Sequence, residues 1–234
     1  MKLIIIAGPP SAGKTAASKQ IIRSLPDIRA AYLKIDVVCA TEDEEIREEF
    51  HIPSRKIYSG DLCPDHAGIM ILDEAISWAM NERADMLIVE SAGLCLRCTP
   101  YTTQSFGIVV LSAISGIQSP AKMAPMIALA DIAVVTRIDL VSQAEKEVFR
   151  EKIRGIRSDI DIVETNAVQG TGMRYLTRAI ENAADITDPS IITLRGIPPL
   201  GVCTVCIGKK NIGWKNHSGV LRRLDGDELM FRGD

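Results

Sequence analysis

Length and composition describe a globular protein without a strong charge bias. The chain has 234 residues, and 27 Lys and Arg against 30 Asp and Glu leave a net charge of -3. This balance and an aromatic content of 4% argue against a nucleic-acid binder, which needs a basic surface and often exposed stacking side chains. No apolar run reaches the roughly 18 residues that span a bilayer, so we expect a cytoplasmic protein that does not insert into a membrane.

Short apolar runs alternate with longer amphipathic stretches along most of the chain. The runs predict strands at residues 3–7, 31–35, 86–89, 108–111, 132–135 and 160–163. Between them, apolar residues recur at helical spacing, as in Ile69, Leu72 and Ile76. This alternation predicts a doubly wound α/β domain with a mostly parallel sheet. The acidic cluster at residues 42–49 is interpreted as the solvated face of a helix.

The sequence pattern changes in the last part of the chain, where prolines and glycines replace helical periodicity. Residues 191–194 predict a further strand of the sheet, and residues 219–224 and 228–231 predict a hairpin. We therefore predict two parts. They are a large α/β domain at residues 1–188 and a small, cysteine-containing β-rich appendage at residues 189–234.

The segment from Gly8 to Thr15 matches the phosphate-binding pattern G-x-x-x-x-G-K-[ST], between a predicted strand and a helical stretch. Its glycines allow a tight turn whose backbone N–H groups surround a phosphate, at the positive end of the following helix. We expect Lys14 to stabilise charge on the phosphates, and to face solvent when none is bound, while Thr15 ligates Mg²⁺. The predicted phosphate contacts are Gly8, Ser11, Ala12, Gly13, Lys14, Thr15 and Ala16.

Two carboxylates follow predicted strands, at the edge where ligands bind in open α/β sheets. Glu90 can hold Mg²⁺ through water, and Gly93, three residues later, brings backbone close to the γ-phosphate. Asp36, at the end of another strand, is a second candidate for holding Mg²⁺ or for orienting the attacking water. Lys14, Asp36 and Glu90 are therefore the predicted catalytic residues.

The choice of base is predicted from the residues that follow the strand at 132–135. Thr136 and Arg137 come first, and then Asp139. An aspartate here can accept hydrogen bonds from N1–H and the exocyclic amino group of guanine, two donors that adenine lacks at these places, so guanine is favoured. Asp139 could instead cap a helix. Ala167, in a loop between a strand and a helix, is predicted to cover the base with its backbone N–H group.

In their order along the chain, GPPSAGKT, IVESAG, VVTRIDL and NAVQGTG resemble segments of the GTPases that insert nickel into urease and hydrogenase. The resemblance spans roughly residues 2–185, and it departs at Thr136-Arg137, where the family usually has Asn-Lys. These proteins belong to the SIMIBI class of P-loop GTPases, which dimerise around nucleotide. The resemblance implies a Mg²⁺-dependent GTPase that switches between homodimer and monomer and acts with a client metalloenzyme or its accessory proteins.

Cys63 and His66 are the first candidate metal ligands. They lie in a Cys-Pro-Asp-His segment, in the region where the urease-related family carries a Cys-Pro-His motif. Thiolate and imidazole together suit Zn²⁺ or Ni²⁺. Two ligands do not complete a site, but a twofold dimer brings four, and nucleotide state could then control capture and release of the metal. The alternative is a partly buried Cys63 beside a helix-starting Asp65.

Two Cys-x-x-Cys pairs, Cys95 with Cys98 and Cys203 with Cys206, are further candidates. In a reducing compartment this spacing points to metal or redox chemistry rather than to structural disulfides. The pairs could form one Cys₄ site, or each could meet its copy across a dimer, as the nitrogenase iron protein does with an iron-sulfur cluster. Packing pairs or disulfide-capable dithiols are the alternatives. His217 is interpreted as a loop residue rather than a ligand.

Three functions are compatible with these motifs. The favoured function is a GTP-hydrolysing metallochaperone that delivers nickel or another transition metal to a metalloenzyme. The second is a small-molecule kinase or ligase that uses ATP, because the phosphate loop does not specify the acceptor. The third is a cysteine-ligated metal sensor whose nucleotide site controls dimer affinity.

Overall fold

Seven strands form one parallel sheet in the computed structural model. They are β1 (Lys2–Ala7), β2 (Ala30–Asp36), β3 (Ser54–Tyr58), β4 (Met86–Glu90), β5 (Phe106–Ser112), β6 (Ile132–Thr136) and β7 (Asp161–Glu164). Their order across the sheet is β3-β2-β4-β1-β5-β6-β7, and each neighbouring pair is parallel. The structure describes residues 1–37, 39–60, 62–93, 99–166, 169–196, 209–217, 219–222, 224 and 228–231.

Helices lie between most consecutive strands and cover both faces of the sheet. They are α1 (Lys14–Ser24), α2 (Glu42–Phe50), α3 (Pro64–Asn81), α4 (Ser119–Lys122), α5 (Ala124–Leu129), α6 (Gln143–Arg154) and α7 (Met173–Glu181). Short 3₁₀ turns lie at Ala113–Ser115, Ile138–Leu140, Pro189–Ile191 and Trp214–Asn216. The predicted doubly wound α/β fold is confirmed. Within the part of the chain that the structure describes, no helix is both long and apolar enough to cross a bilayer.

The core consists of two apolar layers, one on each face of the sheet. Alternate residues of β1 enter different layers, because successive side chains of a strand point to opposite faces. Ile4 packs in the layer that includes residues of α1, α2 and α7, whereas Ile5 packs with residues of α3, α5 and α6. Burial on both faces explains why the central strands are continuous apolar runs in the sequence.

The edge strand β3 has no counterpart among the predicted strands. Among the strands that the structure describes, it pairs with β2 alone. Ser54, Arg55 and Lys56 give it a polar sequence that does not resemble the central strands. Lys56 contacts two acidic residues of α2, Asp43 at 3.3 Å and Glu44 at 2.7 Å. Asp43 is buried, so the interpretation of the acidic cluster as a solvated helix face is wrong at this position.

The last part of the chain contains the predicted hairpin, in which β8 (Gly219–Arg222) pairs antiparallel with β9 (Glu228–Phe231). The two strands form a sheet of their own. The division of the chain into parts at residue 188 stays a prediction.

The prediction that residues 191–194 extend the main sheet is wrong. Thr193 and Leu194 make only isolated antiparallel bridges, to Asn211 and Thr102 respectively. The preceding residues form the 3₁₀ turn at Pro189–Ile191, whose start is fixed because the Asp188 carboxylate accepts a hydrogen bond from the Ser190 N–H at 2.9 Å. Residues 189–191 are therefore helical rather than extended, and residues 193 and 194 bridge segments outside the seven-stranded sheet.

Candidate functional site

The phosphate loop lies at the middle of the carboxyl edge of the sheet. It connects β1 to α1, and β1 lies between β4 and β5, where the chain switches sides and open α/β sheets bind ligands. Gly8 and Gly13 have φ of +148° and +94°. A Cβ atom on Gly8 would lie 2.2 Å from the carbonyl oxygen of Val110 in β5. Glycine is therefore required there for both conformation and space.

A cavity of about 410 Å³ opens beside this loop. Its lining contains the predicted catalytic residues Lys14, Asp36 and Glu90 together with the predicted Mg²⁺ ligand Thr15. The structure thus brings together residues from the phosphate loop, β2 and β4. The full lining is Pro10, Ser11, Gly13, Lys14, Thr15, Ala16, Lys34, Asp36, Glu42, Glu90, Ala92 and Arg137.

The side chain of Lys14 is buried against its own loop. It is only 6% exposed, and Nζ donates to the carbonyl oxygens of Gly8 and Pro9, both at 3.0 Å. The expectation that Lys14 faces solvent is therefore wrong. Burial lowers the pKa of Lys14 from 10.5 to about 8, an effect that the charge of Glu90 partly opposes. Because neutral carbonyls compensate this buried charge poorly, phosphate oxygens would be better partners for it.

Glu90 is the centre of a buried hydrogen-bond network. Its Oε1 accepts from the Thr15 hydroxyl at 2.7 Å and from Lys34 Nζ at 2.8 Å. Its Oε2 accepts from the hydroxyls of Ser18 at 3.0 Å and Tyr32 at 2.9 Å. These bonds compensate the burial of the carboxylate, which has an exposure of 0%. Burial and the charge of Glu90 raise the pKa of Tyr32 far above its ordinary value, so this phenol remains a donor.

Lys34 is a site residue that the sequence analysis missed. It lies on β2 directly beside Glu90 of β4, and its Nζ lies 3.1 Å from the carboxylate of Glu42 and 3.8 Å from that of Asp36. Burial alone would lower the pKa of Lys34, but the charges and hydrogen bonds of Glu90 and Glu42 raise it above its ordinary value. A lysine inside an otherwise apolar strand was the available signal, since a buried ammonium needs an acidic partner.

The oxygen donors of this site suit Mg²⁺. Thr15 offers a hydroxyl, and Asp36 and Glu90 offer carboxylates, which are the hard ligands that this ion prefers. The Asp36 side chain is 28% exposed and borders the cavity, so it is accessible from the side where phosphates would lie.

Gly93 brings a second loop into contact with the phosphate loop. Its φ is +75°, and a Cβ atom placed on it would lie 1.7 Å from the carbonyl oxygen of Gly8 and 3.2 Å from Lys14 Nζ. Gly93 thus places backbone directly against the phosphate loop, and its approach to a γ-phosphate stays a prediction. A side chain here would displace the carbonyl that holds Lys14.

Thr136 and Arg137 contact the phosphate loop. Thr136 is buried, and its hydroxyl donates to the carbonyl oxygen of Ala12 at 2.7 Å. The guanidinium of Arg137 donates to the carbonyl oxygen of Ser11 at 2.7 Å and to the Ser112 hydroxyl at 2.9 Å. Both residues thus brace the loop from β6, a role that sequence reasoning did not assign to them.

Asp139 lies exposed in the 3₁₀ turn Ile138–Leu140, beyond the carboxyl end of β6. It does not cap the next helix, because Ser142 and Glu145 form the capping box of α6. This observation removes the alternative role as a cap for α6. Ala167, the predicted base-covering residue, lies outside the described residues, so the contacts of both residues with a base stay predictions.

Cys63 and His66 lie at the start of α3, where Cys63 immediately precedes the helix and His66 is in its first turn. His66 is buried, and its ring meets the ring of His217 edge to face, with centroids 4.9 Å apart. His217 is also buried, with Nε2 2.7 Å from the carbonyl oxygen of Asn211. His217 is therefore part of the packing around α3, which its interpretation as a loop residue did not foresee.

The remaining metal candidates, Cys95, Cys98, Cys203 and Cys206, lie outside the described residues. Among the residues that the structure does describe, no three His, Cys, Asp or Glu side chains are close enough together to hold a metal ion. A site built on Cys63 and His66 would therefore need further ligands, from another part of the chain or from a second copy.

Comparison with known proteins identifies the family. A family model described as CobW/HypB/UreG, nucleotide-binding domain, matches residues 2–164. An uncharacterized protein of Methanocaldococcus jannaschii is 40% identical over 227 residues, 97% of each chain. The urease accessory protein UreG of Haloquadratum walsbyi is 28% identical over 196 residues, 76% of this chain and 93% of UreG.

Among solved structures, HypB from Helicobacter pylori in complex with nickel has the same fold. It matches with a TM-score of 0.64 at 16% identity, over 80% of this chain and 91% of HypB. The chain belongs to the CobW/HypB/UreG family and is a P-loop GTPase.

Proposed function

We propose that this GTPase of the CobW/HypB/UreG family uses its nucleotide to control delivery of a transition metal, with nickel as the first candidate, to a client metalloenzyme. The observation that carries the proposal is a backbone connection between Asp36, in the nucleotide cavity, and the segment that leads to Cys63. It offers a physical reason why the phosphate state could change the metal ligands.

This connection consists of hydrogen bonds between the loops that follow β2 and β3. The Ser59 N–H donates to the carbonyl oxygen of Asp36 at 2.8 Å, and the Gly60 N–H donates to that of Val37 at 3.3 Å. The Leu62 N–H in turn donates to the carbonyl oxygen of Ser59 at 3.0 Å. Cys63 is the next residue. A movement of Asp36 toward a phosphate or Mg²⁺ would therefore displace the backbone of Cys63.

The start of α3 also packs against both strands that end at the cavity. A Cβ atom on Gly68 would lie 2.8 Å from Ile35 Cδ1, and Gly68 lines a small internal cavity together with Ile35 and Val89. These two residues directly precede Asp36 and Glu90. The first turns of α3 thus lie on the same strand ends that would respond to nucleotide.

For hydrolysis, the residues of the chain supply charge and position rather than a nucleophile. Lys14 would exchange its loop carbonyls for phosphate oxygens, and Glu90 would orient the Thr15 hydroxyl. Asp36, the more accessible carboxylate, would orient the attacking water. Mg²⁺ held by Thr15, Asp36 and Glu90 would supply positive charge at the phosphates.

The named relatives support a metal as cargo. One is a urease accessory protein, and the HypB structure contains nickel. We propose that two copies of the chain dimerise around nucleotide and bring together two sets of Cys63 and His66, with the buried His66 ring leaving its contact with His217. This would supply the four ligands that a tetrahedral or square-planar site requires. Capture and release would then follow the dimer and monomer states.

The test is metal binding by anaerobically purified protein with a nonhydrolysable GTP analogue. We expect Ni²⁺ or Zn²⁺ at about half an equivalent per chain, with a dimer mass in solution. Cys63→Ser and His66→Gln should each lose this metal, and Cys39→Ser is the matched control because Cys39 is exposed. Full metal binding by both Cys63→Ser and His66→Gln would contradict the proposed site.

The alternative functions give different results in the same preparation. An ATP-dependent kinase or ligase would bind ATP more tightly than GTP and transfer phosphate without a partner protein. A metal sensor would bind metal and change its dimer affinity with negligible hydrolysis, even with its partner present. Double variants of each Cys-x-x-Cys pair, Cys95 with Cys98 and Cys203 with Cys206, would show whether either pair holds a metal or an iron-sulfur cluster.

A further inference from the structure

The ammonium of Lys34 occupies the oxygens that we assign to Mg²⁺. Its Nζ lies 2.8 Å from Glu90 Oε1, the same atom that accepts the hydrogen bond from the Thr15 hydroxyl at 2.7 Å. Asp36 Oδ2, on the other proposed Mg²⁺ ligand, lies 3.8 Å from this ammonium. The side chain of Lys34 is only 5% exposed, so solvent screens its charge weakly.

The charges around the cavity show what this ammonium does. Glu42, Asp36 and Glu90 are three acidic groups, and Lys34 is within 4 Å of all three. Lys14 and Arg137 are the other cations of the cavity. Lys14 Nζ is bound to carbonyl oxygens of its own loop, and the Arg137 guanidinium donates to the Ser11 carbonyl and the Ser112 hydroxyl. Lys34 is therefore the group that neutralises the carboxylates. A divalent cation that approached them would meet a fixed positive charge at close range.

We propose that Lys34 is a positioning residue that competes with Mg²⁺ for Glu90 and Asp36, so that the ion enters only together with a nucleotide. The triphosphate supplies the additional negative charge that makes a divalent ion favourable despite the lysine. Metal-ion entry thereby depends on GTP. The inference rests on the proposed Mg²⁺ ligands, and its test separates the two.

The experiment compares Lys34→Met with the wild-type protein by thermal unfolding without nucleotide, at increasing MgCl₂. Methionine has a similar length and removes the charge. Wild type should gain no stability from Mg²⁺, whereas the variant should gain about 4 °C or more, because only the variant binds the ion. With a nonhydrolysable GTP analogue, the Mg²⁺ concentration at half-maximal nucleotide binding should fall about tenfold in the variant.

Lys56→Met is the matched control. Lys56 lies on β3 directly beside Lys34 and contacts carboxylates of α2 instead of Glu90. The Lys56→Met variant removes the same charge one strand away. Its gain in melting temperature with Mg²⁺ should equal that of wild type. Lys34→Arg keeps the charge and should also behave like wild type. If Lys34→Met does not fold, Lys34→Gln is measured in its place.

Two results would overturn the inference. One is a Mg²⁺ response of the neutral Lys34 variant equal to that of wild type in both measurements. The other is an equal gain in the Lys56→Met control, which would show a general charge effect. If instead wild type binds GTP equally well with and without Mg²⁺, the proposed Mg²⁺ ligands are wrong, and that failure is distinct from a failure of the Lys34 inference.

Discussion

The Thr15 hydroxyl donates a 2.7 Å hydrogen bond to the carboxylate of Glu90, a residue 75 positions away in the sequence. This bond joins the phosphate loop to the end of β4 across the centre of the sheet. It fixes the hydroxyl that we assign to Mg²⁺, and it makes the geometry of the loop depend on a carboxylate that is itself fully buried. Substitution of Glu90 should therefore disturb the phosphate loop and, with it, hydrolysis.

We expect Glu90→Gln to lower GTP hydrolysis by about 100-fold, the usual cost of removing one charge-stabilising group from an active site. The amide keeps the volume and one acceptor oxygen but loses the negative charge that orients Thr15 and attracts Mg²⁺. Single-turnover hydrolysis measures the effect. Glu164→Gln, at the carboxyl end of β7, is the control, since Glu164 pairs with Arg150 instead. Hydrolysis within twofold of wild type would contradict the role of Glu90.

A second prediction concerns the contact between Gly93 and the phosphate loop. In Gly93→Ala, the new methyl group would overlap the Gly8 carbonyl oxygen at 1.7 Å, so we expect GTP affinity to fall by about tenfold or more. Gly116→Ala separates this clash from backbone strain, because Gly116 has a similar φ of +90° and no atom within 4 Å of the added Cβ. Calorimetric titration with GTP should show weak binding only for the Gly93 variant.

Much of the nucleotide site was predictable because its signals are local. Gly8 and Gly13 mark the phosphate loop by their spacing, and Glu90 ends an apolar strand, whose carboxyl end must lie at the ligand-binding edge of a parallel sheet. Lys14, Thr15 and Glu90, which line one cavity beside β1, could thus be named from the sequence. The fold followed from the same alternation of apolar runs and helical stretches.

The parts that escaped prediction depend on neighbours that are distant in the sequence. Lys34 reaches Glu90 across two adjacent strands, and a single sequence does not give the strand order that pairs β2 with β4. Thr136 braces the phosphate loop because β6 follows β5 in the sheet, which is also a property of topology. The burial of Lys14 escaped prediction because its own loop supplies acceptors that the motif pattern does not show.

Lys14→Met should abolish the stabilisation by GTP without destabilising the protein on its own. The buried ammonium is poorly compensated, so an apolar side chain of similar length should raise or preserve the melting temperature in the absence of nucleotide. Wild type should gain about 2.7 kcal/mol at a GTP concentration of about 100 Kd, whereas the variant should gain none. Lys19→Met, on the exposed side of α1 beside Glu45, should retain the full gain. If GTP stabilised Lys14→Met as much as it stabilises wild type, phosphate binding by Lys14 would be contradicted.

The pH dependence of stability should report the packing of residues 209–217 on α3. Burial raises the pKa of Asp73 above its ordinary 3.8, and a Cβ atom on Gly213 would lie 2.5 Å from its Oδ2. The Asp73 carboxyl thus stays protonated to a higher pH in the folded protein than in the unfolded chain. Its contribution to the free energy of unfolding is therefore lost as the pH rises from about 4 through the raised pKa. Asp73→Asn should melt about 2 °C higher than wild type at pH 7.

The same Asp73→Asn variant should show no advantage near pH 3, where wild-type Asp73 is protonated in both states. Asp188→Asn is the control with the opposite shift, because hydrogen bonds from Ser190 lower the pKa of Asp188. It should gain no stability at pH 7. An equal gain of the Asp73 variant at both pH values would show that packing, rather than ionisation, explains its effect.

The assignment of the base to Asp139 can be tested with nucleotides that differ in one group. Inosine triphosphate lacks the exocyclic amino group of GTP, so a carboxylate that accepts from this group should favour GTP over ITP by about tenfold or more. Asp139→Ala should bind the two nucleotides equally, with GTP affinity reduced toward the ITP value. Asp27 is exposed before the start of β2, at the opposite edge of the sheet, so Asp27→Ala should keep the preference for GTP.

The melting temperature separates base contact from a structural role of Asp139. Because Asp139 is exposed and α6 has its own capping box, a loss of the GTP preference in Asp139→Ala without a change in melting temperature would be explained by contact with the base. Retention of the full GTP preference would instead place base recognition on another residue.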